Sequence, residues 1–132
     1  MANDDPQVSE FKSKSGLKRI LGAISYSFEG FRMAWKSEHA FRQELMVVVP
    51  ATILALTLPI MPVEKLALVG VLVLVLIVEL INSAIEAAID RISFERHQLS
   101  KNAKDFGSAA VFLACSLAIA TWAVILFPLA TQ

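Results

Sequence analysis

Glu79, Asn82, Ser83, Glu86 and Asp90 recur at three- and four-residue spacing in a segment that is otherwise Leu, Ile, Ala and Val. At about 100° per residue in an α-helix, they fall at about 0°, −60°, +40°, −20° and +20°, so they share one face. Ahead of them, Leu66 to Val78 carries no charge. An ionisable group inside a membrane helix is costly and marks a functional site by default. At a rise of about 1.5 Å per residue the uncharged stretch spans about 20 Å. The hydrocarbon core is about 30 Å thick, so Glu79 lies past its midplane. Glu86, about 10 Å further along, lies near the headgroups. A polar face that climbs from the acyl region to water suits a reaction between a lipid headgroup and a soluble reagent. The competing reading is a polar stripe that ties helices together by hydrogen bonds.

Glu38 stands just before the first long apolar stretch and is expected at the depth of Glu86. Two carboxylates at one depth can bind a divalent cation, because Mg²⁺ takes one or two protein carboxylates plus phosphate oxygens and waters. Each Glu taken alone reads equally well as a solvated charge. The basic residues Arg91, Arg96, Lys101 and Lys104 lie close by in sequence. Cations beside a carboxylate-bound metal are what phosphoryl transfer requires, since catalysis there is mostly positioning and charge neutralisation. Asp105-Phe106-Gly107 invites a protein-kinase reading, but no His-Arg-Asp loop or glycine-rich strand-turn accompanies it. No P-loop is present either. His39 and His97 have no metal-ligand spacing and read as polar interface residues, with a nucleotide contact open to His97.

The elements that position these groups are membrane helices. The chain has 132 residues, 56% of them hydrophobic, and a mean hydropathy of +0.62. The expected fold is an all-α membrane protein in one domain: a polar tail over 1–15, a surface helix over 16–36, and spans over about 40–60, 64–92 and 102–129. From Gly16 to Lys36, the residues Leu17, Ile20, Leu21, Ile24, Phe28, Phe31 and Trp35 form an apolar stripe, with Lys18, Arg19, Arg32 and Lys36 off it. That pattern describes a helix lying in the interface plane; a soluble helix on a globular core is the alternative. The net charge is zero, yet seven of the twelve Lys and Arg precede Leu45, four lie between Arg91 and Lys104, and only Lys65 lies in the first interhelical loop. The positive-inside rule puts the N-terminus and second loop in the cytoplasm, and the Pro59–Pro62 loop and Gln132 opposite. The acidic, polar start MANDDPQVSE is unlike a signal peptide. Cys115, the single cysteine, has no intrachain partner and is expected to serve packing. Ala103, Gly107, Ala110, Ala114 and Ala118 allow close helix approach. With the need to cover Glu79 and Glu86, that stripe favours a homo-oligomer.

Three stretches then resemble one family. VELINSAIEAAIDRIS (Val78 to Ser93), AFRQE (Ala40 to Glu44) and LSKNAKDFGSAAV (Leu99 to Val111) are similar to the prokaryotic diacylglycerol kinases, over roughly 16–128. The core motif E-x-x-N-S/T-A-I/V-E stands here as Glu79 to Glu86. The resemblance implies a small homotrimeric enzyme of the bacterial inner membrane that moves the γ-phosphate of ATP to diacylglycerol, giving phosphatidic acid, with active sites shared between subunits. It implies that Glu79 is the general base and that Glu38 and Glu86 hold Mg²⁺. Asn82, Lys104 and Asp105 match polar site residues. Arg19, Tyr26, Glu95, Arg96 and His97 match nucleotide positions. Ala40, Phe41, Arg42, Gln43, Glu44 and Ser108 match positions near the lipid. Glu29 and the opening MANDDPQVSE have no counterpart. A sister branch phosphorylates undecaprenol, but AFRQE and KDFGSAA look more like the diacylglycerol branch. The rival of another class, a small ion-coupled transport or scaffold protein, expects polar groups at the midplane and broken helices. No nucleic-acid partner is expected.

Overall fold

The computed structural model describes residues 16–92, 95 and 97–131, so the expected polar tail lies outside the described residues. Four helices follow in order: α1 (Gly16–Ser37), α2 (His39–Thr57), α3 (Pro62–Ile92) and α4 (Gln98–Ala130). No strand occurs among the described residues. By length and composition α2, α3 and α4 can each cross a membrane. With 31 residues, α3 extends about 46 Å and outruns a hydrocarbon core of about 30 Å. Its C-terminal turns carry Glu86 and Asp90.

The junctions follow from local chemistry. Pro62 opens α3 at a position where its missing N–H is not needed. Glu64 Oε2 accepts from the Met61 N–H at 2.8 Å, which satisfies a donor that the helix itself leaves open. Lys65 Nζ donates to the Leu56 carbonyl at 2.7 Å and ties this start to the end of α2. One residue, Glu38, separates α1 from α2. At that corner Arg42 Nη1 donates to the carbonyls of Trp35 at 2.8 Å and Lys36 at 3.2 Å, satisfying the last turn of α1.

Helix α3 is central and packs against both α2 and α4, while α1 contacts α2. The core between α3 and α4 is Val75, Ala114 and Ala118, with Val71, Val78 and Cys115 against it. The stripe expected to bring subunits together is therefore used within the chain: Gly107, Ala114 and Ala118 are buried against α3, and Ala110 is exposed. Small side chains let the two backbones approach. Trp122 Nε1 donates to the carbonyl of the fully buried Leu68 at 3.3 Å, joining the far ends of the two helices.

Outward, Met46, Ile53, Leu66, Ile77, Phe112 and Val124 are exposed. Helices with apolar exteriors and self-satisfied backbones are what a bilayer accepts. On α1 every member of the stripe from Leu17 to Trp35 is at least half exposed, and only Ala34 is buried. Among the described residues no segment covers that stripe, so none of them supplies the globular core that a soluble helix would pack on.

Candidate active site

Only two polar residues are buried among those described, Glu79 at 4% exposure and Asn82 at 9%. Both belong to the polar face of α3, which the fold turns inward. Helix periodicity aligned these residues; packing on both sides then covered them. Cover for Glu79 and Asn82 thus comes from within the chain, where the limited shelter of three spanning helices is enough for these two residues. Glu86, one turn above Asn82, is half-buried.

The face gathers carboxylates from two other places. Glu79 lies within electrostatic reach of Glu86 and of Glu38, and Glu44 lies within reach of Glu79. Glu38 sits at the N-terminus of α2 with extended backbone, and its side chain makes no capping bond there. Its Oε1 is 3.1 Å from Ser37 Oγ, whose single proton also has the Met33 carbonyl as an acceptor at 2.8 Å. The Glu38 carboxylate thus keeps most of its lone pairs. Asn82 Nδ2 donates to Glu86 Oε1 at 3.4 Å. Asn82 Oδ1 and Glu44 Oε2 are buried without a hydrogen-bond partner among the described residues.

Cations arrive from α4. Lys104 Nζ donates to Asp90 Oδ1 at 2.7 Å, a bridge between α3 and α4 that also lies in the field of Glu86. Asp105 is engaged on the exposed face of its own helix, paired with Lys101 at 2.5 Å. His97 caps α4, with Nδ1 accepting from the Leu99 N–H at 3.2 Å. Arg19 and Tyr26 are exposed on α1, and Glu95 is exposed between α3 and α4, so these three are not buried with Glu79 and Asn82. Arg96 lies outside the described residues.

The AFRQE stretch divides its work. Phe41 is buried, Ala40 is exposed and Arg42 holds the end of α1. Gln43 and Glu44 edge a cavity of about 570 Å³ between α2, α3 and α4, walled by Val48, Leu72, Ala118 and Trp122. Ser108 is exposed and does not line it. The groove is apolar along its length with a carboxylate at one end, the shape and polarity an acyl chain with a polar head requires. Trp122 is a wall residue that sequence reasoning missed, since a lone Trp in an apolar helix has no pattern to read. The pairing of Lys104 with Asp90 was equally invisible, because it joins two helices.

Among the described residues no three or more His, Cys, Asp or Glu side chains converge as a metal centre. Glu38 and Glu86, each within electrostatic reach of Glu79, are two hard oxygen donors. That donor set suits Mg²⁺, which keeps waters and phosphate oxygens for its other positions. It would not suit zinc, which favours nitrogen and sulfur.

A family model described as prokaryotic diacylglycerol kinase matches residues 25–126. The chain belongs to the prokaryotic diacylglycerol kinase family. A diacylglycerol kinase of Pseudomonas aeruginosa is 52% identical over 118 residues, covering 89% of this chain and 96% of that protein. One of Escherichia coli K12 is 46% identical over 113 residues, covering 86% and 93%. A third, from Haemophilus influenzae, is 39% identical over 113 residues, covering 86% and 96%. The family match encloses Glu38, Glu44, Glu79, Asn82, Glu86 and Lys104, while Arg19 lies ahead of it.

Proposed function

We propose that this protein is a membrane lipid kinase that transfers the γ-phosphate of ATP to the free hydroxyl of diacylglycerol, giving phosphatidic acid and ADP. The observation that carries this reading is the buried Glu79 within reach of Glu38 and Glu86, in a chain of this family. The diacylglycerol lies with its acyl chains along the groove beside Glu44 and its hydroxyl toward Glu79. The hydroxyl oxygen forms the new bond to the γ-phosphorus as the bond to the ADP leaving oxygen breaks, and Glu79 accepts the hydroxyl proton. A base must stand within hydrogen-bond reach of the proton it takes, and Glu79 is the deepest carboxylate on the face. Glu38 and Glu86 would hold Mg²⁺, which supplies charge neutralisation at the phosphates. Asn82 orients Glu86, and Lys104 adds positive charge at the α3–α4 end.

We place the nucleotide at the cytoplasmic face of the bacterial inner membrane, near Arg19, Tyr26, Glu95, Arg96, His97 and Asp105, and Ser108 near the lipid. The distribution of Lys and Arg supports that orientation, with the C-terminus opposite. The exposed stripe of α1 lies in the membrane surface, and three chains assemble with active sites at their boundaries. ATP-dependent phosphate incorporation into diacylglycerol and undecaprenol, measured side by side in mixed micelles, tests the substrate. Preference for diacylglycerol is expected; preference for undecaprenol overturns it.

A further inference from the structure

We propose that Gly107 is a positioning residue for Asn82, and through it for Glu86. The inference rests on the site proposed above. A Cβ built on Gly107 would overlap Asn82 Oδ1 and come within 3.2 Å of its Cγ. The carboxamide oxygen therefore rests on the α4 backbone in the space a side chain would fill. That oxygen is buried and has no hydrogen-bond partner among the described residues, so its packing on Gly107 rather than a hydrogen bond holds that side of the amide. The opposite side, Nδ2, then points along α3 to Glu86 Oε1 at 3.4 Å. An α4 residue that carries no functional group thereby sets the direction of a hydrogen bond to a phosphate-end carboxylate.

The geometry also says what a methyl group does. The obstructing atoms are the far end of one Asn side chain, not backbone. The cheapest relief for Gly107→Ala is rotation of the Asn82 amide away from α4, which leaves the helix pair in place and breaks the aim at Glu86. The substitution is thus a lesion of Asn82 delivered from another helix.

A double-mutant cycle tests this. Sites that act through one another are non-additive, and independent sites multiply. Purified Gly107→Ala is expected to lose about tenfold or more in kcat and to need more Mg²⁺ for half-maximal rate, with KM for diacylglycerol unchanged. In an Asn82→Ala background the same Gly107→Ala change is expected to cost less than about twofold further. Thermal unfolding closes the cycle even where turnover is too low to compare: shortening Asn82 removes the overlap, so the double variant is expected to be more stable than Gly107→Ala alone. Native kcat in Gly107→Ala overturns the inference, as do multiplying losses or a double variant no more stable than the single. Native turnover in Asn82→Ala alone would remove Asn82 from the proposed site, a different failure; the stability cycle then judges the Gly107 contact separately.

Discussion

In the proposed mechanism Glu79 serves as base while Glu38 and Glu86, nearer the headgroups, would hold the metal. Removing the charge of Glu79 while keeping its shape isolates the base. Glu79→Gln is expected to lower turnover by about 10²-fold or more, within the usual range for general-base catalysis, and to change ATP·Mg²⁺ affinity little. A loose phosphoryl-transfer transition state needs little early deprotonation, which places the loss toward the smaller end. Near-native turnover would end the base assignment, and lost nucleotide binding would move Glu79 to the metal. Glu38→Gln and Glu86→Gln should do the reverse. Losing even an outer-shell partner of a metal commonly costs 10–100-fold in affinity, so each is expected to raise the Mg²⁺ concentration for half-maximal rate by about tenfold or more. A Mg²⁺ titration of the purified variants decides it, and unchanged curves count against both ligands.

At the scale of elements, the α1–α2 corner and the α3–α4 seam set where those carboxylates stand. Arg42 belongs to the AFRQE stretch that matches lipid positions, yet its guanidinium satisfies the end of α1. Arg42→Ala is expected to cost about 1 kcal/mol, the typical net worth of a hydrogen bond, and to speed amide exchange in the last turn of α1. A raised KM for diacylglycerol with unchanged exchange would favour the lipid role instead. The seam is tighter. Ala114 is buried in the α3–α4 core, where added bulk forces backbone shifts costing about 1–3 kcal/mol. Ala114→Leu should lower the unfolding temperature; were stability kept and only the oligomer lost, the stripe would belong to subunit contact after all.

For the whole molecule, Glu38 and Glu86 both lie within electrostatic reach of Glu79 in one chain, so a single subunit can supply the proposed carboxylate set. Assemblies that share sites between subunits can be rescued by mixing defects only if the defects come from different chains at one site. Co-assembled Glu79→Gln and Glu86→Gln chains are therefore expected to show no more activity than either alone. Recovered activity would mean that neighbouring chains supply the two groups. The wide apolar exterior of α2, α3 and α4 leaves ample surface for both lipid and neighbours.

The helices and the polar face were legible because both depend on local spacing. A period of 3.6 residues aligns Glu79, Asn82, Glu86 and Asp90 whatever surrounds them, and hydropathy alone distinguishes the spanning segments. Charge asymmetry along the chain, too, is a property of sequence. What covers the polar face is not. Burial of Glu79 follows from α3 lying between α2 and α4, and the use of Gly107, Ala114 and Ala118 within the chain rather than between chains follows from which side of α4 meets α3. The diversion of Arg42 to the α1 carbonyls, the Lys104–Asp90 bridge, the groove ending at Trp122 and the seat of Asn82 on Gly107 all join residues distant in sequence. Periodicity fixes a residue's angle about its own helix axis; only packing fixes what that angle faces.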